Sequence, residues 1–258
     1  MEQKGISWDS VMDAALNMPM VRIDRYLYLS SEFKKYGNPE SLKTKRPIDL
    51  YSSEVIEKVA KSAINSHLLK VTATSAAAGI PGGFAMLGTI PADLAQYYWH
   101  ILVLAQKLGY IYGWGDLLDD NNKIDEETKS ILTVFVGVMM GAEIANSAIR
   151  QIAKNAAIQV AKRVPQQALT KTLWYPIAKK VGKWIGVKLT KRVVAQAGSK
   201  VVPIIGGVIS GGITLATFKP MAKRLQNELR EQMNLMKETP LNRETDNNTV
   251  DAEYEDIK

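Results

Sequence analysis

The sequence predicts an all-α fold, a single multi-helix domain, from three observations. Helical periodicity runs through nearly all of the 258 residues, and no stretch keeps the alternation of polar and apolar residues that marks a strand. Hydrophobic residues make up 46% of the chain, which suffices for a sizeable core. Glycines recur in pairs four residues apart, as at Gly137/Gly141 and Gly182/Gly186, and this spacing lets helix backbones approach closely. We therefore expect close glycine-mediated helix packing, together with glycine-rich apolar hairpins.

The first part of the chain predicts helices separated by glycine- and proline-rich breaks. Residues 8–36 suit one or two helices, and residues 37–51, with one glycine and two prolines, suit a connecting loop. Ser52 and Ser53 suit the start of the next helix, because serine hydroxyls accept hydrogen bonds from free N–H groups there. That helix is expected over about residues 54–75.

Two further helices are predicted in the middle of the chain. Pro91 and Asp93 suit a first helical turn, because proline has no N–H to leave unpaired and an acid favours the positive helix end. This helix is expected to run to about Gly113. An acidic start at Asp125 opens the next helix, which is predicted to be long and to reach Val164.

The C-terminal part predicts basic helices and then a polar tail. Residues 167–200 suit one or two helices, with an interruption near Pro176. A final helix is expected to begin at Pro203. We predict one helical domain over residues 1–236 and an acidic, disordered tail over residues 237–258, which has few large apolar side chains.

Two uncharged, glycine-rich segments leave the relation to membranes open. Residues 71–92 carry no charge over 22 residues, and residues 201–218 are similar. About 20 apolar residues span a bilayer, so these segments suit either a tightly packed core or membrane-inserted hairpins. Residues 131–149 would be a third inserted segment, but Glu143 interrupts them at a cost of about 2.5 kcal/mol or more.

The distribution of charge indicates an anionic partner. The net charge is +7, although the tail over 237–258 has three basic and seven acidic residues. The 84 residues between Glu143 and Glu228 contain 15 lysines and arginines and no acid. Such a region suits lipid head groups or nucleic acid. The alternative is a core region whose few surface positions happen to be lysine.

Residues with catalytic chemistry are scarce. The chain has no cysteine, which excludes disulfides, thiol catalysis and zinc–thiolate sites. No phosphate-binding loop or nucleophile elbow is present. His67 and His100 are isolated in the sequence, and we expect each to be partly buried with an ordinary hydrogen bond. We predict no catalytic residue, metal or cofactor, and the N-terminus suggests a cytosolic start without a secretory signal.

Residues 176–192 predict a basic amphipathic helix with a tryptophan. Its apolar side would hold Ile177, Val181, Trp184, Ile185 and Leu189. This pattern suits a helix at a membrane surface, and it equally suits a surface helix that packs on the core. Lys188 and Arg192 lie nearer the apolar side, where their long stems can snorkel. The residues that we predict to contact anionic lipid are Lys179, Lys180, Lys183, Trp184, Lys188, Lys191 and Arg192.

Residues 79–113 combine a glycine–proline turn, an I-P-A-D helix start and an aromatic, leucine-rich helix that ends at Y-G. This combination resembles the EcsC protein family of bacteria. Residues 202–213 and the stretch from Trp8 to Arg25 are similar to the same family, so the resemblance covers most of residues 8–235. The motif positions that we expect to define the fold are Gly79, Pro81, Gly82, Gly83, Pro91 and Asp93.

The resemblance implies an all-helical protein with no established enzymatic activity and no active site to carry over. The family's namesake is encoded beside the parts of an ABC transporter. We therefore expect a non-enzymatic protein on the cytoplasmic side of the bacterial inner membrane, peripheral or partly inserted. Its expected partners are anionic lipids and a membrane protein, in a transport, secretion or envelope process. The alternatives are an integral or pore-like protein that inserts 71–92 and 201–218, and, last, a nucleic-acid-binding module.

Overall fold

A computed structural model of the chain describes residues 6–77, 92–118, 123–150, 167–198 and 211–238. Within these ranges every regular element is helical, and the helices pack into one domain, which confirms the all-α prediction. The helices are α1 (Trp8–Leu16), α2 (Arg25–Phe33), α3 (Pro47–Leu50), α4 (Ser53–Ala77), α5 (Ala92–Ile111), α6 (Glu126–Met139), α7 (143–150), α8 (Gln167–Gly198) and α9 (Gly211–Glu238). Short 3-10 turns over Lys34–Tyr36 and Pro39–Lys43 lie within the predicted connecting loop or next to it.

Helices α4, α5, α6 and α9 form the centre of the domain. The rings of His67 and His100 lie 5.4 Å apart, and the hydroxyl of Tyr112 donates to Glu57 at 2.7 Å, so α4 and α5 run antiparallel. Every side chain from Ser130 to Met139 in α6 is buried. Helix α1 packs on α5 and α8, and α8 packs on α6. The site described below lies where α1, α6 and α8 meet.

The predicted helix starts are confirmed where the structure describes them. Ser52 precedes α4, and its hydroxyl accepts from the N–H of Val55 at 3.4 Å. The carboxylate of Asp125 accepts from the N–H of Thr128 at 2.8 Å, which satisfies one of the free donors at the start of α6. Asp93 lies in the first turn of α5. These starts follow from local sequence because each cap is made within four residues.

The end of α6 differs from the prediction. The helix stops at Met139 rather than at Val164, because Gly141 adopts a left-handed φ of +80°. The Gly141 N–H donates to the Val138 carbonyl at 2.9 Å, and the next N–H donates to the Gly137 carbonyl at 2.8 Å. These two bonds form a Schellman motif, which satisfies the last carbonyls of the helix. Helix α5 ends with the same pattern of bonds at Gly113.

The glycine pairs therefore have two different roles. Gly141 and Gly113 terminate helices, and Gly113 also lies at a close contact, because a Cβ there would be 2.9 Å from Cδ1 of Ile48 in α3. Of these two, the prediction of close packing is therefore wrong only for Gly141, whose Cβ would be 3.9 Å from the nearest atom. Gly137 and Gly182 do lie at close contacts. A Cβ on Gly137 would lie 2.5 Å from Cγ1 of Val181, and one on Gly182 would lie 2.9 Å from Cδ1 of Trp8. The pairs at 79/83 and 207/211 fall wholly or partly outside the described residues.

Gly137→Ala is expected to lower the free energy of unfolding by about 1–3 kcal/mol, because the added methyl group overpacks the contact with Val181. This loss should exceed the gain of up to about 1 kcal/mol that alanine brings to a helix. Urea unfolding measures the change. Gly186→Ala is the matched control, because the nearest atom to its Cβ would be 3.4 Å away. Equal stability of the two variants would contradict the close contact at Gly137.

Two prolines lie inside helices. Helix α8 is continuous from Gln167 to Gly198, so the predicted interruption near Pro176 is wrong. Pro176 is exposed, and there water can satisfy the carbonyl that loses its helical partner. Helix α9 likewise continues through Pro220 to Glu238, which places the first two residues of the predicted tail in the helix.

Among the described residues, no helix combines the length and hydropathy that a membrane span requires. The candidate segment 131–149 is divided by the turn at Gly141, and Glu143 on it is exposed. Apart from the exposed Ile144 and the half-buried Met140, its apolar side chains are buried among the neighbouring helices, which is evidence against the alternative in which this segment forms a membrane hairpin. Segments 71–92 and 201–218 lie mostly outside the described residues.

Candidate functional site

The apolar side of α8 faces the core of the protein. Val181, Ile185 and Leu189 are all buried, and α8 packs along α6. Trp184 is half-buried against the same core. Residues 176–192 were interpreted either as a helix at a membrane surface or as a surface helix that packs on the core. In the structure the apolar side of this helix packs on the core. The side of α8 that is left open to a partner is therefore its polar side.

The polar side of α8 carries a row of exposed lysines. Within the part of the chain that the structure describes, none of these lysines forms an ion pair. The Nζ of Lys188 lies 4.2 Å from the ring centre of Trp184 in a cation–π contact. Arg192 belongs to α8, and its side chain lies outside the described part. The exposed lysines, which we call the lysine face, are Lys179, Lys180, Lys183, Lys188 and Lys191.

One line of side chains along α8 combines lysines with exposed apolar groups. Its five members follow one another at four-residue intervals, so each lies beside the next and the row winds by about 40° per step across the polar half of the helix. Tyr175 is 58% exposed and Val187 is 48% exposed, both high values for apolar side chains. The line, which we call the α8 stripe, consists of Tyr175, Lys179, Lys183, Val187 and Lys191.

The α8 stripe forms one wall of a groove of about 880 Å³. The groove lies between α8, the N-terminal segment with α1, and the first turns of α6. Its volume falls within the range of about 300–1,000 Å³ that is usual for ligand sites. Its floor is apolar and is formed by Ile6, Trp8, Met12 and Ala178, with Gly182 and Gly186 packed beneath Trp8 and the N-terminal segment.

The wall opposite the α8 stripe is acidic and partly neutralised. Lys129 on α6 lies 3.1 Å from the carboxylate of Asp13 and 2.9 Å from that of Glu126. The hydrogen bond with Glu126, followed by the bond with Asp13, raises the pKa of Lys129, which therefore stays charged. Asp9 adds a third, exposed carboxylate. The groove thus has a cationic wall on α8 and a weakly anionic wall on α1 and α6.

Trp8 joins the elements that form the groove. Its indole N–H donates to Oγ1 of Thr133 at 2.9 Å, and its ring meets the ring of Tyr98 edge-on at 5.2 Å. The same ring fills the space above Gly182, and only 3% of Trp8 is exposed. The tryptophan therefore fixes the N-terminal segment against α5, α6 and α8 at once.

The two histidines lie together in the core, away from the groove. His67 and His100 are 3% and 5% exposed, and the ring of His67 also stacks on Phe218 at 5.7 Å. Burial, and then the neighbouring His100 and the cation of Lys107, lowers the pKa of His67 to about 3. Burial lowers the pKa of His100 to about 4. Both rings are neutral at pH 7, and their burial is deeper than the sequence predicted.

Sequence reasoning found the lysine face but missed the groove. The four-residue spacing from Tyr175 to Lys191 was visible in the sequence and could have revealed the α8 stripe. The ion pair between Asp13 and Lys129 joins distant parts of the chain, and no pattern in the sequence predicts it. Five of the motif positions, Gly79, Pro81, Gly82, Gly83 and Pro91, lie outside the described residues.

The described residues contain no group of three or more histidines and acids that could hold a metal ion. Comparison with protein-family models, with curated proteins and with solved structures finds no match to this chain. The resemblance to the EcsC family therefore stays a prediction that rests on the sequence motifs.

Proposed function

We propose that this chain is a non-enzymatic, EcsC-type helical protein that binds anionic membrane surfaces peripherally through the lysine face of α8. The observation that carries the proposal is the row of five exposed lysines without ion pairs among the described residues. Each cation near an anionic bilayer contributes about 1 kcal/mol of attraction. Together they supply enough energy for reversible binding.

The attraction in this proposal is electrostatic rather than hydrophobic. The core buries Val181, Ile185 and Leu189, so these side chains cannot enter the bilayer. Binding should therefore need anionic lipid and should weaken with salt, which shortens the screening length from about 10 Å at 0.1 M to about 3 Å at 1 M.

The proposed location is the cytoplasmic side of the bacterial inner membrane. This location rests on the EcsC resemblance and on the anionic lipids that attract basic protein surfaces there. In this setting the protein would assist a transport, secretion or envelope process beside a membrane-protein partner. The lysine face would hold it at the surface while its other faces contact that partner.

Reversing the charge of four residues of the lysine face is expected to weaken binding to anionic vesicles by at least about 100-fold, because each lysine contributes about 1 kcal/mol. Flotation with neutral and with anionic vesicles, at low and high salt, measures the binding. The variant carries Lys179→Glu, Lys180→Glu, Lys183→Glu and Lys191→Glu. The control reverses four exposed lysines elsewhere, Lys34, Lys35, Lys45 and Lys61, and should bind much more strongly than the α8 variant.

Three results would overturn the proposal. Equal loss in the two variants would mean that net charge matters and the lysine face does not. Flotation with neutral vesicles that resists salt would favour insertion of segments 71–92 and 201–218. Failure to float, together with binding to RNA or DNA that falls steeply with salt, would favour a nucleic-acid-binding module.

A further inference from the structure

We infer that the groove between α1 and α8 binds an acyl amphiphile that carries a single negative charge on its head group. This inference deepens the proposed function and rests on it in one respect, because it names the lipid class that reaches α8. The chemistry fits a free fatty acid and also a monoanionic phospholipid drawn from a bilayer, and the experiment below separates these sources.

The apolar part of the ligand follows from the floor of the groove. Trp8, Met12 and Ala178 line it, and the two glycines of α8 let Trp8 and the N-terminal segment pack closely beneath it. Tyr175 and Val187 leave about half of their surface exposed at the same wall. Covering apolar surface gains about 25 cal/mol per Å², so an acyl chain along this wall is favoured. The α8 stripe extends about 24 Å at 1.5 Å per residue, long enough for an extended chain.

The anionic head follows from the lysines of the α8 stripe. Lys179, Lys183 and Lys191 lie at the groove and have no ion pair among the described residues. Hydrogen bonds to charged groups are stronger than neutral ones, at about 1.5–3 kcal/mol each. A carboxylate or a phosphodiester at this wall would pair with a lysine on either side of it.

The acidic wall limits the charge of the head group. Asp9, Asp13 and Glu126 face the groove, and among the described residues it is Lys129 that pairs with Asp13 and Glu126. A head group with two or more negative charges would be repelled by this wall, whereas one negative charge can stay beside α8. A purely cationic amphiphile would meet the lysines of the α8 stripe and would be disfavoured.

The experiment measures laurate binding to the full chain by titration calorimetry, below the critical micelle concentration. The groove variant is Lys179→Gln with Lys183→Gln. Its matched control is Lys180→Gln with Lys188→Gln, which removes the same charge from lysines of the same face that do not line the groove. We expect the groove variant to bind laurate at least about tenfold more weakly and the control to stay within about twofold, because tenfold corresponds to 1.4 kcal/mol. Equal loss in both would overturn the inference.

Two further measurements test the rest of the assignment. Tyr175→Ser with Val187→Ser changes no charge at exposed positions, and it should weaken laurate binding while flotation with anionic vesicles is retained. Dodecyltrimethylammonium should bind at least about tenfold more weakly than laurate. Equal affinity for the two amphiphiles, or unchanged laurate binding by the serine variant, would overturn the inference.

Comparing laurate binding with vesicle flotation distinguishes a free fatty acid from a phospholipid drawn from a bilayer. The same comparison distinguishes failure of the groove inference from failure of the proposed membrane function. Laurate binding together with flotation that the groove variant weakens more than its control would support a ligand drawn from a bilayer. Laurate binding without flotation would support a free amphiphile and would overturn the proposed membrane function. Salt-sensitive flotation without laurate binding would overturn the groove inference and would leave the proposed function standing.

Discussion

Lowering the pH from 7 to 5 is expected to reduce the free energy of unfolding by about 2–4 kcal/mol through His67 and His100. In the folded protein their pKa values are about 3 and about 4. In the unfolded chain both return to about 6.5. Between these values the unfolded state binds more protons, so acid favours unfolding. The stability that the two neutral histidines contribute is fully present above about pH 6.5, and it is lost as the pH falls toward their pKa values in the folded protein.

The surroundings of the two rings explain why protonation is costly. The charged groups that act on His67 are Lys107 and Lys70, both cations. The aromatic rings of Phe218 and Trp99 pack against the pair from α9 and α5, and neither supplies a countercharge. Burial, and then the cation of Lys70, lower the pKa of Lys107, and Glu32 offsets only part of this shift. A proton on His67 would therefore be a buried charge near other positive charges, whereas a proton on His100 would be opposed by burial.

Urea unfolding at pH 7 and at pH 5 measures this loss. The control is His67→Leu with His100→Leu, which keeps apolar volume and removes both titrating groups. Its stability should change much less between the two pH values, whatever its absolute stability. A wild-type protein that is as stable at pH 5 as at pH 7 would contradict the burial of the pair.

Trp8→Ala is expected to lower the free energy of unfolding by about 3–5 kcal/mol, the usual cost of truncating a buried tryptophan. The substitution removes the ring that covers Gly182 and packs on Tyr98, and it removes the hydrogen bond to Thr133. The cost should be near the upper end, because the cavity opens where three helices and the N-terminal segment meet. Urea unfolding at pH 7 measures it.

Trp8→Phe is the matched control for this prediction. Phenylalanine keeps most of the ring but cannot donate to Thr133, so its cost should be smaller. The Thr133 hydroxyl still donates to the carbonyl of Lys129 at 2.8 Å, so no buried donor is left unpaired. A loss of less than about 1 kcal/mol in Trp8→Ala would mean that the N-terminal segment does not dock as described.

Local chemistry explains which parts of the fold were predictable. The starts at Ser52 and Asp125 depend on side chains that bond backbone groups within four residues. The amphipathic character of α8 follows from helical spacing alone. The end of α6 was missed because Gly141 is compatible with both a helix contact and a left-handed turn. The sequence shows a glycine at that position, and packing decides its conformation.

In the candidate site, too, local features were predictable from the sequence and long-range contacts were not. The lysine face was predictable because neighbouring turns of one helix bring its members together. The groove was not, because it needs Asp13 to meet Lys129 and Trp8 to meet Gly182 across long stretches of chain. The pairing of His67 with His100 also depends on the register between α4 and α5, which hydrophobic periodicity leaves undetermined.

By itself the sequence determined the helical class, the helix starts and the positive charge of α8, because these properties depend on residues within a few turns of one another. Only the tertiary structure decided that the apolar side of α8 belongs to the core and that its lysines border a groove. The spacing of apolar residues along a helix shows that one side is apolar, but it does not specify what covers that side. Here α6 covers it, which leaves the charged side of α8 available for a partner.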